Sequence, residues 1–480
     1  EGPDAQAVTM DPAPPLGSDE LTFEMAEVYE LALLRDTPFN IFDQGGGPSS
    51  GKLNEAVDRL NHLPYAKTGF QGRPRITDED GKLSRQTVFR GSSPGVEKGP
   101  YLSQLMLVGN NEPVGGITPQ DGQIIYGAQL IDQKVPEACE NIDYMTEWDE
   151  WMRVQRGYDV NKNNGTTGGQ QFTGKRRFIY TPRDLATYVH FDALYQAYLN
   201  GCLILLANNT PYDPAFDGLS GRDDHSVLMN DQDRVSSTTG GFALYGGPHI
   251  LTLVTEIATR ALKAVRYQKF NNHLRLRPEA LGARIEKAKE ISHAHPAMCD
   301  AFKNMRHRIS KTVDAVCDHN VSGTALLPMA FAEGSPMHPA YGAGHATVAG
   351  ACVTILKAYF DTSAVFAKVN GAAGFYGQSQ LGEDAEFVYY ESHDSGHSLA
   401  EKTIECPLTL EGELNKLAAN ISIGRNMGGV HYFTDYYDSL RMGEEIAIGM
   451  LEEQALCYPS DPFVMSLPTF DGDVVRIGRR

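Results

Sequence analysis

Past residue 180 the chain is written in helical periods, and this limits its fold more than any other property. Residues 249–269 place Ile250, Leu253, Val254, Ile257, Ala261, Leu262 and Val265 on one stripe, the spacing of a helix that buries a single face. Further helices fit 279–293, 296–317, 344–360, 410–426 and 434–457. Thr181-Pro182-Arg183-Asp184 reads as a helix start, with a threonine cap, a proline at the first helical position and an acid at the third. Strand alternation is scarce in this half, and no fixed-period repeat is visible. The expectation is an all-α protein with its chemistry placed where helices face one another.

The first third has a different texture. Residues 1–20 are rich in Pro, Asp and Gly, residues 21–36 carry helical spacing, and residues 37–175 are dense in Gly, Pro, Asn and Asp. We divide the chain into an irregular N-terminal arm with wrapping segments (1–175), a helical core (176–458) and a C-terminal tail (459–480). So long an irregular stretch is unusual inside a compact domain. A segment that clasps a partner subunit would account for it.

Acidic residues outnumber basic ones 61 to 42, a formal charge of −19. Nucleic acid and anionic membrane surfaces need a basic footprint, so neither is expected as a partner. No apolar run approaches the roughly 18–20 residues of a membrane-spanning helix. An anionic substrate is still allowed, because a local pocket can oppose the global sign. The seven cysteines form no CxxC pair, which argues against a zinc ribbon or thioredoxin-type site, and their odd number leaves at least one thiol unpaired. Asp223-Asp224 and Asp231-Gln232-Asp233 are candidates for a structural divalent cation such as calcium, or simply solvated loop acids. No signal peptide is visible, and the compartment stays open among extracellular, cell-wall and periplasmic settings.

Three segments carry the chemistry. In the first, Lys269 ends a long helix and Arg277-Pro278 follows eight residues later; alone, this is a solvated basic helix end. In the second, His338-Pro339-Ala340-Tyr341-Gly342-Ala343-Gly344-His345 runs into a helix of small residues. Backbone N–H groups at such a start form an anion site, and glycines permit close approach. In the third, Arg425 and His431 flank a glycine pair, Thr434 is placed to cap the next helix, and Asp435 follows His431 by four residues. Asp435 is positioned to accept the imidazole's other N–H and fix its tautomer. Together, three cations, one helix N-terminus and two histidines suit a tetrahedral oxyanion with a nitrogen ligand on one side and an acid–base group on the other.

The order and spacing of these segments resemble the vanadium-dependent haloperoxidase and type-2 phosphatidic acid phosphatase superfamily, whose motifs are Lys…Arg-Pro, Ser-Gly-His and Arg…His…Asp. The runs 248–270, 338–361 and 412–435 resemble algal and cyanobacterial bromoperoxidases, the red-algal type above all. There, seven residues separate Lys from Arg-Pro, as Lys269 and Arg277 are separated here; phosphatases and fungal chloroperoxidases usually have six. A histidine also stands seven before the second-motif histidine, matched by His338. The resemblance covers about residues 180–455.

What the resemblance implies is two four-helix bundles with vanadate at their base. His431 would be the protein's ligand to vanadium. Lys269, Arg277, Arg425 and the Gly344 N–H would hold the oxygens, with Ala343 at the family's serine position and therefore lacking its hydroxyl. His345 would take a proton from hydrogen peroxide, with Lys269 assisting. His338 would tune halide or peroxide activation, and Arg266 and Gln268 would shape halide access. Substrates would be hydrogen peroxide, bromide and a small organic acceptor, and assembly would range from dimer to dodecamer. A second reading is a phosphatase with His431 as nucleophile and His345 protonating the leaving group; a third is a non-catalytic oxyanion-binding protein decayed at Ala343. Ser395-Gly396-His397 also spells the second motif, but in a polar stretch that reads as a surface loop.

Overall fold

In the computed structural model, residues 6–47, 49–112, 114–160, 170–216, 245–458 and 463–478 are described. The centre is the helix Gly344–Tyr359, buried along its whole length from Ala346 onward. It packs against Gly247–Tyr267, Leu410–Met427 and Phe433–Leu456. Small residues make the closest crossing. A Cβ on Gly350 would stand 2.0 Å from the Leu440 carbonyl oxygen, and one on Gly443 would stand 2.0 Å from that of Thr347. Any side chain at either position would push the last helix off the central one.

The Thr181 start forms as expected. Its Oγ accepts from the Asp184 N–H at 3.4 Å while Asp184 Oδ2 accepts from the Thr181 N–H at 3.0 Å, opening helix Pro182–Phe191. Two expected helices are each broken in two. Residues 279–293 become Pro278–Glu286 and Ala288–Ala294, and residues 296–317 become Pro296–Arg308 and Ser310–His319. The apolar period runs across each break because only one residue, Lys287 or Ile309, leaves the helix.

The all-α expectation needs correction. Ala372–Tyr376, Val365–Val369, Glu386–His393 and Ser398–Thr403 form a four-stranded antiparallel sheet inserted between the central helix and Leu410–Met427. Its first strand buries Val365, Phe366 and Ala367 in succession, so it shows no alternation, while its last strand is largely exposed and polar. Ser395-Gly396-His397 lies at the turn of the second hairpin of this sheet. Smaller two-stranded pieces join Gln123–Tyr126 to Gln129–Asp132, Val135–Ala138 to Phe172–Arg177, and Val464–Pro468 to Val474–Gly478.

The first 175 residues share the core of the rest: one hydrophobic cluster holds Phe23, Phe42 and Tyr101 together with Leu417, Tyr436 and Ile477. The helix Asp19–Leu33 carries three buried glutamates at helical spacing. Glu24 pairs with Arg275, Glu27 with Arg75 and Glu30 with Arg59, each at 2.7–2.8 Å. Each pair ties this helix to a different stretch of chain. Among the described residues no helix is long and apolar enough to cross a membrane.

Candidate active site

The sequence places Lys269 at a helix end, and the chain there does something more specific. After Tyr267 the helix widens into a π-turn, Gln268–His273, a distortion often found at functional sites. Lys269 is thereby turned inward and only 4% exposed. Arg277 stands at the N-cap position of helix Pro278–Glu286 without a side-chain capping bond, Arg425 sits in the last turn of Leu410–Met427, and His431 lies in the joint before Phe433–Leu456. Gly344 and His345 open the central helix, whose N-terminus has no side-chain cap. These residues meet around a cavity of about 250 Å3. Its walls include Lys269, Arg277, His338, Gly344, His345, Arg425 and His431, with Leu194, Leu262, Val265, Phe270 and Pro336 supplying the apolar part.

Arg277 is the hub. Its Nη1 lies 3.0 Å from His431 Nε2 and donates to the Val430 carbonyl at 2.8 Å. Its Nη2 lies 3.0 Å from His338 Nδ1, and its Nε donates to the His338 carbonyl at 2.8 Å. Lys269 Nζ reaches the same His338 Nδ1 at 3.3 Å. Two cations converging on one ring nitrogen require it to accept. Burial, with Lys269 and Arg277 beside it, accordingly lowers the His338 pKa to about 4.

Asp435 Oδ2 lies 2.8 Å from His431 Nδ1. Accepting there puts the ring proton on Nδ1 and leaves Nε2 with a lone pair toward the cations. Burial, then Arg277, Lys269 and Arg425, holds the imidazole pKa well below its usual value. His345 Nε2 pairs with Asp192 Oδ1 at 3.0 Å, and burial lowers the His345 pKa against that carboxylate's pull.

Ten lysine and arginine side chains are buried among the described residues: Arg35, Arg75, Arg90, Arg177, Arg183, Lys269, Arg277, Lys357, Lys416 and Arg425. All have a carboxylate within ion-pair distance except Lys269, Arg277 and Arg425. Burial and mutual repulsion push Lys269 down to about 7 and Arg277 to about 10; burial alone takes Arg425 to about 10. Arg425 gives Nη1 to the Val189 carbonyl at 3.0 Å, and its buried Nε has no partner. Burying uncompensated cations is costly. A bound tetrahedral oxyanion removes that cost, supplies acceptors to the orphaned donors and meets the uncapped helix end at Gly344. The donor set therefore fits vanadate, with His431 Nε2 as the available nitrogen.

Not every expected residue comes to the cavity. Ala343 is the N-cap of the central helix, 3% exposed and absent from the cavity wall; its N–H donates to Ser439 Oγ at 2.9 Å. Gln268 turns the other way and donates to the Val8 carbonyl at 3.1 Å, whereas Arg266 does line the cavity. Ser395-Gly396-His397 is absent from its wall. Thr434 does not cap the last helix. Asp435 does, taking the Tyr432 N–H at 3.1 Å. The aspartate stretches at 223–224 and 231–233 lie outside the described residues; within these, no cluster of three or more His, Cys, Asp or Glu could hold a metal ion.

Asp192 went unnoticed in the sequence. It ends a helix more than 150 residues before His345, and no local pattern marks it. Arg275 had a faint signal, two positions before Arg277 in the same extended run.

A helical bundle that gathers unpaired cations, a helix N-terminus and a histidine with an unprotonated Nε2 defines an oxyanion-binding protein whose anion can be held through nitrogen. Residues 317–456 match the family model described as the VCPO second helical-bundle domain. Over 99% of its length the chain is 42% identical to the vanadium-dependent bromoperoxidases of Corallina pilulifera and Corallina officinalis, covering 77% of each. It is 30% identical to that of Ascophyllum nodosum, covering 75% of it. The solved structure of a second, homohexameric vanadate-dependent bromoperoxidase from Ascophyllum nodosum superposes with a TM-score of 0.72 at 25% identity, over 100% of this chain and 74% of that one. The chain belongs to the vanadium-dependent bromoperoxidase family.

Proposed function

We propose that this chain oxidises bromide with hydrogen peroxide to hypobromous acid, which brominates small organic acceptors, and that vanadate is its cofactor. The observation that carries this reading is the trio Lys269, Arg277 and Arg425. Among the described residues these are the buried cations without a carboxylate partner, and they surround the unprotonated Nε2 of His431, which Arg277 Nη1 approaches at 3.0 Å.

When bound, vanadate supplies the electrophilic centre at which peroxide becomes able to accept two electrons from bromide. The rest of the work belongs to the chain. His431 offers Nε2 because Asp435 keeps the proton on Nδ1. Lys269, Arg277 and Arg425 balance the anion's charge, and the Gly344 N–H adds a neutral donor. His345, neutral and held through Nε2 by Asp192, takes the peroxide proton at Nδ1. His338, kept neutral by its cationic neighbours, fixes the directions in which Lys269 and Arg277 point. Leu262, Val265, Phe270 and Leu194 keep the cavity partly dry, which strengthens each of these interactions.

Reconstitution with orthovanadate, followed by peroxide, bromide and a phenolic reporter, tests this directly: bromination that depends on all three supports it. Hydrolysis of p-nitrophenyl phosphate in vanadate-free buffer, without bromination, would instead indicate a phosphatase using His431 as nucleophile. Vanadate binding with neither activity would indicate an oxyanion-binding protein. We also take the working protein to be a homo-oligomer of two to twelve subunits. The family's homohexameric member supports this, and a light-scattering mass near 52.6 kDa would refute it.

A further inference from the structure

Behind His431, on the side away from the cavity, a line of buried polar contacts runs to the N-terminal helix. Asp435 uses Oδ2 for His431 Nδ1 and for the Tyr432 N–H, and its other oxygen, Oδ1, accepts from Arg275 Nη1 at 2.7 Å. The opposite edge of the same guanidinium, Nη2, donates to Glu24 Oε2 at 2.7 Å. Glu24 Oε1 takes the Thr434 N–H at 2.5 Å and also the Thr434 hydroxyl. Both carboxylates are fully buried, and the guanidinium lies 4.0 Å over the Tyr432 ring. Glu24 thus satisfies an N–H in the first turn of the last helix from 410 residues away.

Two things decide where His431 Nε2 points: the plane of the Asp435 carboxylate and the place where the last helix starts. A carboxylate bonded through one oxygen can swing about its Cβ–Cγ bond. One gripped on its second oxygen by a planar guanidinium cannot. The guanidinium is in turn fixed because Glu24 and the Tyr432 ring hold it. The first turn of the helix is pinned by the other oxygen of that same Glu24.

We propose that Glu24 and Arg275 are positioning residues for His431, holding Asp435 and the helix start so that the imidazole presents Nε2 to the anion. This rests on the vanadate reading of the site and deepens it: a segment of the N-terminal helix sets the geometry of the nitrogen ligand.

The test compares wild type with Arg275→Lys, which keeps the charge but loses the two-edged grip, and with Glu24→Gln. Glu30→Gln is the control: Glu30 is an equally buried glutamate on the same helix, bonded to Arg59 and Thr312 instead. Variants with wild-type near-ultraviolet circular dichroism are compared by two measurements. The first is the ring-nitrogen NMR of 15N-histidine-labelled, vanadate-free protein at one fixed pH, with the His431 signals assigned by their loss in His431→Ala. The second is vanadate binding by equilibrium dialysis. Arg275→Lys and Glu24→Gln are expected to mix Nε2-protonated ring into the His431 signals and to weaken vanadate binding about 10- to 100-fold, with the KM for bromide unchanged. Glu30→Gln is expected to do neither. Wild-type ring signals and affinity in both test variants would overturn the inference, as would an equal effect of Glu30→Gln. Should wild type itself bind no vanadate, the functional reading fails while the ring signals still decide whether Glu24 and Arg275 position His431.

Discussion

Two clusters of buried cations in this molecule are built on opposite terms. Around Asp143 every charge is answered. Arg35 pairs with Asp143, Arg183 holds Asp36 at 2.5 Å and Asp143 at 3.2 Å, and His319 adds a contact at 2.8 Å. Despite its burial, Arg35, the His319 hydrogen bond and Arg183 hold the Asp143 carboxyl well below its usual range. Around His431, by contrast, Lys269, Arg277 and Arg425 face one another across a cavity with no carboxylate paired to any of them. The first cluster is complete as it stands and fastens Arg35, beside the N-terminal helix, to the start of helix Pro182–Phe191. The second is complete only with an anion in place. A buried cation therefore says little until its partner is sought, and an unanswered one marks a binding site.

That contrast can be broken most severely at His431, the proposed nitrogen ligand. His431→Ala is expected to abolish stable vanadate binding and with it all bromination, read by dialysis and by the phenolic reporter. His345→Ala is expected to retain vanadate but to lose about 10²- to 10⁴-fold in turnover, the usual worth of a positioned acid–base group; unchanged turnover would remove His345 from the mechanism.

The clusters themselves are separated by a paired measurement. Arg183→Met leaves Asp36 and Asp143 short of a partner and should cost about 3–5 kcal/mol of stability. Arg425→Met should leave the vanadate-free protein's unfolding midpoint unchanged or higher, because it removes an unpaired buried charge. It should weaken vanadate binding about ten- to a hundredfold, the worth of a hydrogen bond to a charged group. Equal destabilisation by both would erase the distinction.

A smaller effect follows from pH. Burial and the neighbouring arginines lower the Lys269 pKa from 10.5 to about 7 in the folded, anion-free state. Between those values the unfolded chain binds more protons, so stability contributed by this group rises with pH from about 7 to 10.5, and its penalty is fully present below 7. The vanadate-free protein's melting temperature should therefore gain less from pH 7 to 9 in Lys269→Met than in wild type. Smallest is Ala343→Ser. At an N-cap without a side-chain bond the hydroxyl should add about 0.5–2 kcal/mol of stability. Because Ala343 lies off the cavity wall, vanadate affinity should stay near that of the unsubstituted chain.

How much of this was legible beforehand differs by element. The long helices were, because a single apolar face repeats at 3.6 residues over many turns. The inserted sheet was not: Val365-Phe366-Ala367 is buried on both faces, and Ser398–Thr403 is mostly solvated. Lys269, Arg277, Gly344, His345, Arg425 and His431 could be read as a group because each motif is local in sequence, and all six reach one cavity. Asp192 and Glu24 could not, since each takes its place only through a contact 150 or more residues away, and Arg275 only faintly, through its position two before Arg277. The duplicate Ser395-Gly396-His397 shows the converse. Its letters fit the motif better than Ala343-Gly344-His345 do, yet it folds as a hairpin turn instead of the mouth of a buried helix.

The glutamate-bearing helix near the N-terminus also imposes an order in time. Glu24 leaves the ribosome 410 residues ahead of Thr434, an interval of about 20–80 s at roughly 5–20 residues per second. Throughout it Glu24, Glu27 and Glu30 await arginines and a helix start that do not yet all exist, and their charges keep that helix hydrated meanwhile. The start of the last helix, and with it the setting of His431 beside Asp435, is thus fixed only once Thr434 has been made.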